Sequence, residues 1–335
     1  MKKLILVLVL LILIAGVGAF FFLPGYLNET FNENEEILIV ESGDSLGIVS
    51  SKLYNDGVIK SKYWFRYNGK DIATKIKPGK YTIKKNSTIQ DIYEIIQQGE
   101  IDVPIVVTFP EGFILYQFAS KLEESGISSL DEFIEATEEY YNANLSSNYS
   151  NEEIYFSMEG YLFPETYYFS NKQTIEEIVN TLYKTGADVW DEDMLVKLSQ
   201  SEYNKHQILT IASLIEREAY NDEERAKISG VIYNRLRLGM PLQIDATVIY
   251  GIGEGKEHMT RVLYEDLEKD NPYNTYRNKG IPVGPIANPG KNSIYASLFP
   301  EEHEYLYYVM GENGHVFAKT YAEHLINVEN YRKTQ

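Results

Sequence analysis

The chain opens on an unbroken apolar run, Leu4 to Leu23, with Lys2 and Lys3 before it and acidic residues from Glu29 after it. Twenty residues at about 1.5 Å each cover about 30 Å, the thickness of a bilayer core. The run predicts a transmembrane helix over residues 4–24. By the positive-inside rule, residues 1–3 stay cytoplasmic and everything after Leu23 is exported. A cleaved signal peptide has a shorter apolar stretch, about 7–15 residues, that ends at small residues. Here the run ends in Phe20-Phe21-Phe22-Leu23-Pro24, which favours an uncleaved anchor. Residues 25–36 are polar and rich in Asn and Glu, and read as a linker.

From Ile37 the pattern changes to that of a small α/β module, residues 37–100. Residues 37–40 are strand-like. Ser42-Gly43-Asp44-Ser45 reads as a turn with Asp44 or Ser45 as N-cap, and Ile48, Val49 and Leu53 follow at helical spacing. A second helix is expected over 61–68, a turn and strand over 78–83, and a capped amphipathic helix over 87–96 closed by Gly99. The strand, the two helices and the Ser-Gly-Asp-Ser turn resemble a LysM-like module. That resemblance implies binding of N-acetylglucosamine-containing glycans; the other reading is a spacer without ligand.

A larger region, residues 104–335, follows. The pattern predicts a strand over 105–109, a turn at Pro110-Glu111-Gly112 and helices over 114–124, 130–141, 175–190 and 206–220. The acidic, Asn/Ser-rich stretch 126–153 reads as a surface excursion. Residues 305–320 read as a hairpin turning at Glu312-Asn313-Gly314, with His315 structural. The fold class is therefore α+β: a transmembrane helix, a small α/β module and a larger, mostly helical domain with a few strands.

Charge and composition narrow the chemistry. A net charge of −18 argues against nucleic acid as partner, because phosphate neutralisation needs Lys and Arg. It also argues against a positive surface on anionic lipid. The absence of cysteine excludes disulfides, thiolate catalysis and cysteine metal sites. No pair among the five histidines has HxxxH spacing, so neither metal nor cofactor is expected.

In the helix expected over 206–220, Ile208, Ile211, Ala212, Ile215 and Ala219 form one stripe. At 100° per residue Arg217 falls opposite, in solvent, and Glu216 and Glu218 lie on the two flanks. Both border apolar surface, where a carboxyl pKa rises toward neutrality. The wheel alone does not choose between them, and either could be a salt-bridged boundary residue. If residues 242–248 are extended, Gln243, Asp245 and Thr247 share a polar face suited to sugar hydroxyls and acetamides. Glu159 and Tyr161 are further candidates, although a structural turn explains Gly160 and Pro164 equally well.

The resemblance becomes specific in the run Ile211 to Ala219, with Glu216-Arg217-Glu218, followed by Val231-Ile232-Tyr233-Asn234-Arg235-Leu236 and Met240 to Gly251. Tyr273-Asn274-Thr275-Tyr276 and Gly280 to Gly290 complete it. In their order and spacing these motifs resemble the endolytic transglycosylase family MltG (YceG-like), which would cover nearly the whole chain. The resemblance implies a peptidoglycan lytic transglycosylase that cuts the β-1,4 bond between N-acetylmuramic acid and N-acetylglucosamine without water. It carries the essential glutamate over to Glu218, the second of the pair. Gln243, Asp245, Asn234, Tyr250 and Tyr161 become expected substrate contacts, and peptidoglycan synthases expected partners. Two alternatives stay open: a muramidase-type hydrolase with Asp245 as second carboxylate, and a non-catalytic glycan-binding scaffold. A peptidase has no serine, cysteine or zinc constellation to support it.

Overall fold

The structure, a computed structural model, describes residues 22–30, 35–99, 104–146, 153–256 and 262–334. Residues 4–21 of the apolar run lie outside this set, so the transmembrane expectation falls almost wholly there. Among the described residues no helix is long and apolar enough to cross a membrane. The chain divides into two compact units, Met1–Asp102 and Val103–Gln335.

In the first unit β1 (Glu36–Val40) pairs antiparallel with β2 (Gly79–Ile83), Leu38 opposite Tyr81. The two-residue period of a strand turns Leu38, Val40, Tyr81 and Ile83 inward and leaves Ile37 and Ile39 exposed. Helices α1 (Leu46–Asn55) and α2 (Lys62–Asn68) lie between the strands in sequence, and α3 (Ile89–Gln98) follows. Each start is fixed locally. Ser45 accepts from the Ile48 N–H, Ser61 from that of Trp64, and Thr88 forms a capping box with Asp91. Gly99, at φ 93°, ends α3. Val49, Phe65, Ile92 and Ile96 are fully enclosed in this unit's core.

The second unit is mostly helical. Strands β3 (Ile105–Thr108) and β4 (Thr166–Phe169) pair antiparallel beside α4 (Leu115–Glu124), α5 (Leu130–Asn144) and α6 (Ile175–Asp188). Phe109 stacks on Phe118 at 4.2 Å between ring centres, inside one core that also takes Val107, Leu122 and Val179. The stretch read as a surface excursion contributes to this core: α5 buries Phe133, Ala136 and Tyr141 and leaves Asp131, Glu132, Glu135 and Glu139 exposed. An apolar stripe outweighs acidic composition when the acids lie on the opposite face.

Helix α7 (Glu192–Ser199) precedes the central helix α8 (Lys205–Glu218), which packs on α9 (Asp222–Arg237), α10 (Asp245–Ile252) and α11 (Lys291–Leu298). Strands β5 (Tyr307–Gly311) and β6 (Gly314–Ala318) form the expected hairpin, on which α12 (Tyr321–Thr334) packs.

The extended reading of residues 242–248 does not hold. Gln243 takes a left-handed conformation, φ 53°, and α10 begins at Asp245. The backbone N–H groups of Gln243 and Ile244 are taken by the Thr275 carbonyl and hydroxyl, at 3.1 and 3.0 Å, and the Thr247 hydroxyl donates to Ile244 O. Thr247 is buried, whereas Gln243 and Asp245 stay exposed, so the three do not share a face.

Candidate active site

Helix α8 delivers the two glutamates. Its start is set by a capping box between Asn204 and Gln207, and Ile208, Ile211, Ala212 and Ile215 sink into the cores on either side. It ends at Glu218, because Ala219 takes an extended conformation. The flanks carry the two carboxyl groups to different surroundings.

Glu216 is held. Arg225 donates to it at 3.0 Å and the Gly290 N–H donates at 3.0 Å. Arg225 also binds Asp222 at 2.8 Å and the Ser293 hydroxyl. This is a buried ion pair joining α8, α9 and α11. Arg217 is not free in solvent as the wheel places it: it is half-buried and donates to Gly112 O at 3.2 Å.

Among the described residues Glu218 accepts one hydrogen bond, from the Tyr308 hydroxyl at 2.8 Å. Burial pushes its pKa up to about 7; the Tyr308 bond opposes this, nearby Asp245 adds to it, and Arg217 and Arg235 oppose it. Its place at the C-terminal end of a helix, where exposed carbonyls carry partial negative charge, also disfavours the anion. Tyr308 itself is held well above its ordinary pKa by burial and by Glu218, so it stays a donor.

Glu218 opens onto a cavity of about 330 Å³. Val231, Ile232, Leu242 and Ile244 form its apolar side, and Tyr276, Tyr307, Tyr308 and Tyr321 its aromatic wall. Gln243, Asp245, Arg235 and His324 supply the other polar groups. Asp245 accepts from the Tyr276 hydroxyl at 2.5 Å. Arg235 donates to the carbonyls of Leu306 (2.6 Å), Pro241 (3.2 Å) and Leu242 (2.8 Å), tying the segment before α10 to the strand that carries Tyr308. Among the described residues no group of acids and histidines is arranged to hold a metal ion.

Of the expected site residues, the cavity brings together Glu218, Gln243 and Asp245. It does not gather the other three. Asn234 is buried, donating to the carbonyls of His303 and Tyr305 at 2.8 and 3.0 Å and accepting from Arg237 at 2.6 Å. Tyr161 contacts His206 Nδ1 at 2.9 Å. Tyr250 is buried and donates to Glu159 at 3.1 Å. Glu159 lies apart from the cavity, wholly enclosed. Both its oxygens accept the Leu115 N–H at 3.0 Å, and Asn288 donates at 2.8 Å, so it caps α4 from outside the helix. Tyr307, Tyr308, Tyr321 and His324 were missed by the motif reading. For Tyr307 and Tyr308 the available signal was the run of tyrosines on the expected hairpin, which taken alone fits an ordinary core as well; Tyr321 and His324, on α12, carried none.

The fold and cavity define an α+β protein with a near-neutral carboxylic acid set in an aromatic, polar-lined groove. Comparison with known proteins makes this specific. The chain belongs to the YceG-like family, whose model matches residues 38–330. It is 36% identical over 307 residues to the endolytic murein transglycosylase of Bacillus subtilis (strain 168), covering 87% of this chain and 83% of that one. It is 28% identical over 319 residues to the endolytic murein transglycosylase of Streptococcus pneumoniae (strain D39), covering 87% of this chain and 57% of that one. A crystal structure of a yceG-like protein from Listeria monocytogenes matches with a TM-score of 0.61 and 31% identity, over 88% of this chain and 99% of that one.

Proposed function

We propose that this chain is an endolytic murein transglycosylase, a lyase acting on peptidoglycan, and that Glu218 is its acid/base. Family membership and the names of the relatives support the activity. The observation that carries the residue is geometric: Glu218, alone of the α8 pair, faces the cavity, with a pKa near 7, while Glu216 is spent on Arg225. Protonated Glu218 gives its proton to the glycosidic oxygen between N-acetylmuramic acid and N-acetylglucosamine as the C1–O bond breaks. The carboxylate then takes the proton of the muramyl C6 hydroxyl, whose oxygen bonds to C1 and closes a 1,6-anhydro ring. No water is consumed, and Glu218 returns protonated. Because the nucleophile belongs to the substrate, its high effective molarity stands in for a second enzyme carboxylate.

Asp245 and Gln243 bind and orient the sugar, and Tyr276 fixes Asp245. Tyr308 holds Glu218 in place. Its bond pulls the Glu218 pKa down, so Tyr308→Phe is expected to shift the falling limb of the pH–rate profile to higher pH. Loss of a hydrogen bond to a charged group should also lower kcat about tenfold; a titration of initial rates with a purified glycan checks both.

The rest of the assignment follows the same reading: an anchor at residues 4–24 with a cytoplasmic N-terminus, a LysM-like module at 37–100, a YceG-like domain at 104–335, and synthases of the same polymer as neighbours. One observation favours a second reading: Asp245 shares the cavity with Glu218, as paired carboxylates do in glycoside hydrolases. Mass spectrometry of digested peptidoglycan separates the two. The transglycosylase leaves anhydro-muramyl ends, one water lighter than the reducing ends a hydrolase leaves.

A further inference from the structure

The net charge of −18 is unevenly spread. The first unit, Met1–Asp102, holds twelve Lys and Arg against twelve Asp and Glu, so it is neutral within a strongly acidic chain. Three of its cations lie on or just after one helix, α2. Lys62, Arg66 and Lys70 lie beside Tyr63 and Tyr67, which are 72% and 64% exposed, on the side of α2 opposite buried Phe65. None of these three cations makes an ion pair among the described residues, and no acidic side chain lines the open concavity of about 650 Å³ beside them. Lys70 lies over the Tyr67 ring at 4.4 Å and Lys62 over Tyr63 at 5.6 Å. Mixed tyrosine and cation, with no acid between them, is the composition of surfaces that sit at a membrane interface.

The chain just after the apolar run is fastened to the same helix. The helical residues 22–28 end on Asn28, which accepts from the Trp64 indole at 2.8 Å, and Lys60 donates to Tyr26 O at 2.8 Å and lies over its ring at 4.0 Å. Phe22 is 80% exposed at the start of this segment. A membrane entered at residues 4–24 therefore begins within a few residues of α2.

We propose that the α2 face, Lys62, Tyr63, Arg66, Tyr67 and Lys70, docks on anionic lipid headgroups of the outer leaflet. This rests on the anchor assignment above only for its location; the charge and aromatic pattern stand without it. Trp64 stacks on Tyr67 and is a built-in reporter, and Trp190 is the other tryptophan of the chain.

The test uses the full chain carrying Trp190→Phe, with phosphatidylcholine vesicles containing or lacking phosphatidylglycerol, the acyl chains brominated to quench nearby indole. Quenching of Trp64 is expected with phosphatidylglycerol and strongly reduced without it. The triple variant Lys62→Glu, Arg66→Glu, Lys70→Glu should lose quenching, at roughly fivefold in partition per cation removed. Flotation that survives high salt reports the anchor independently. Salt-resistant flotation without quenching overturns the docking and leaves the anchor standing. Salt-sensitive flotation with quenching supports the docking and overturns the anchor. A Trp64 signal that answers to N-acetylglucosamine oligomers and not to phosphatidylglycerol makes the face a glycan site and overturns the proposal.

Discussion

Glu218→Gln is expected to lower glycan-strand cleavage by about 10²–10⁴-fold with little change in glycan binding, the range general acid/base catalysis contributes. Glutamine keeps the shape and still accepts from Tyr308, so the loss reports the proton and not the packing. The pH profile of the parent carries the same information. Burial sets the Glu218 pKa at about 7. The first step needs its proton, so the rate should fall as pH rises through that value. A profile flat from pH 6 to 9, or a Gln variant that still yields anhydro ends at the parent rate, would remove Glu218 from the mechanism.

The largest stability effect is expected at Glu159. Its carboxyl meets the Leu115 N–H, the Asn288 amide and the Tyr250 hydroxyl in a site closed to solvent. Glu159→Ala leaves these donors buried and unpaired and opens a cavity, at a cost of roughly 3–5 kcal/mol. Glu159→Gln, which keeps an acceptor and the volume, should cost less. The pH dependence follows from the direction of the shift. Burial lifts the carboxyl to about 8 from an ordinary 4.5, so the folded state holds a proton that the unfolded state releases. That stabilisation is complete below about pH 4.5 and is lost as pH rises through 8. Thermal unfolding across this window should fall with pH in the parent and be flatter in the Gln variant.

What the sequence discloses depends on how far apart the interacting residues lie. Helix starts were legible because their caps are local: Ser45, Ser61 and Thr88 each bind an N–H three residues on. Glu216 and Glu218 were placed on opposite flanks of α8 by the helical period alone. What each flank meets was not legible, because Arg225, Gly290 and Tyr308 come from later elements. Asp245 shows the other failure. Ile244 at the N-cap offers no side-chain bond, so nothing local marks the start of α10, and a short apolar run reads equally well as a strand. Asn234 sits in the motif Val231 to Leu236 but is buried away from the cavity, bonded to the His303 and Tyr305 carbonyls and to Arg237, partners the motif alone does not disclose.

Glu218 ends α8, but its hydrogen-bond donor is Tyr308 on the hairpin, and the aromatic wall extends to Tyr321 on α12. A ribosome makes the glutamate about ninety residues before the tyrosine that steadies it. A chain that emerges N-terminus first therefore exposes its acid long before the groove exists to use it. On the proposal that Glu218 is the acid, competence waits for the hairpin and α12, and a translation product that stops short of the hairpin is expected to carry the glutamate and leave glycan strands uncut.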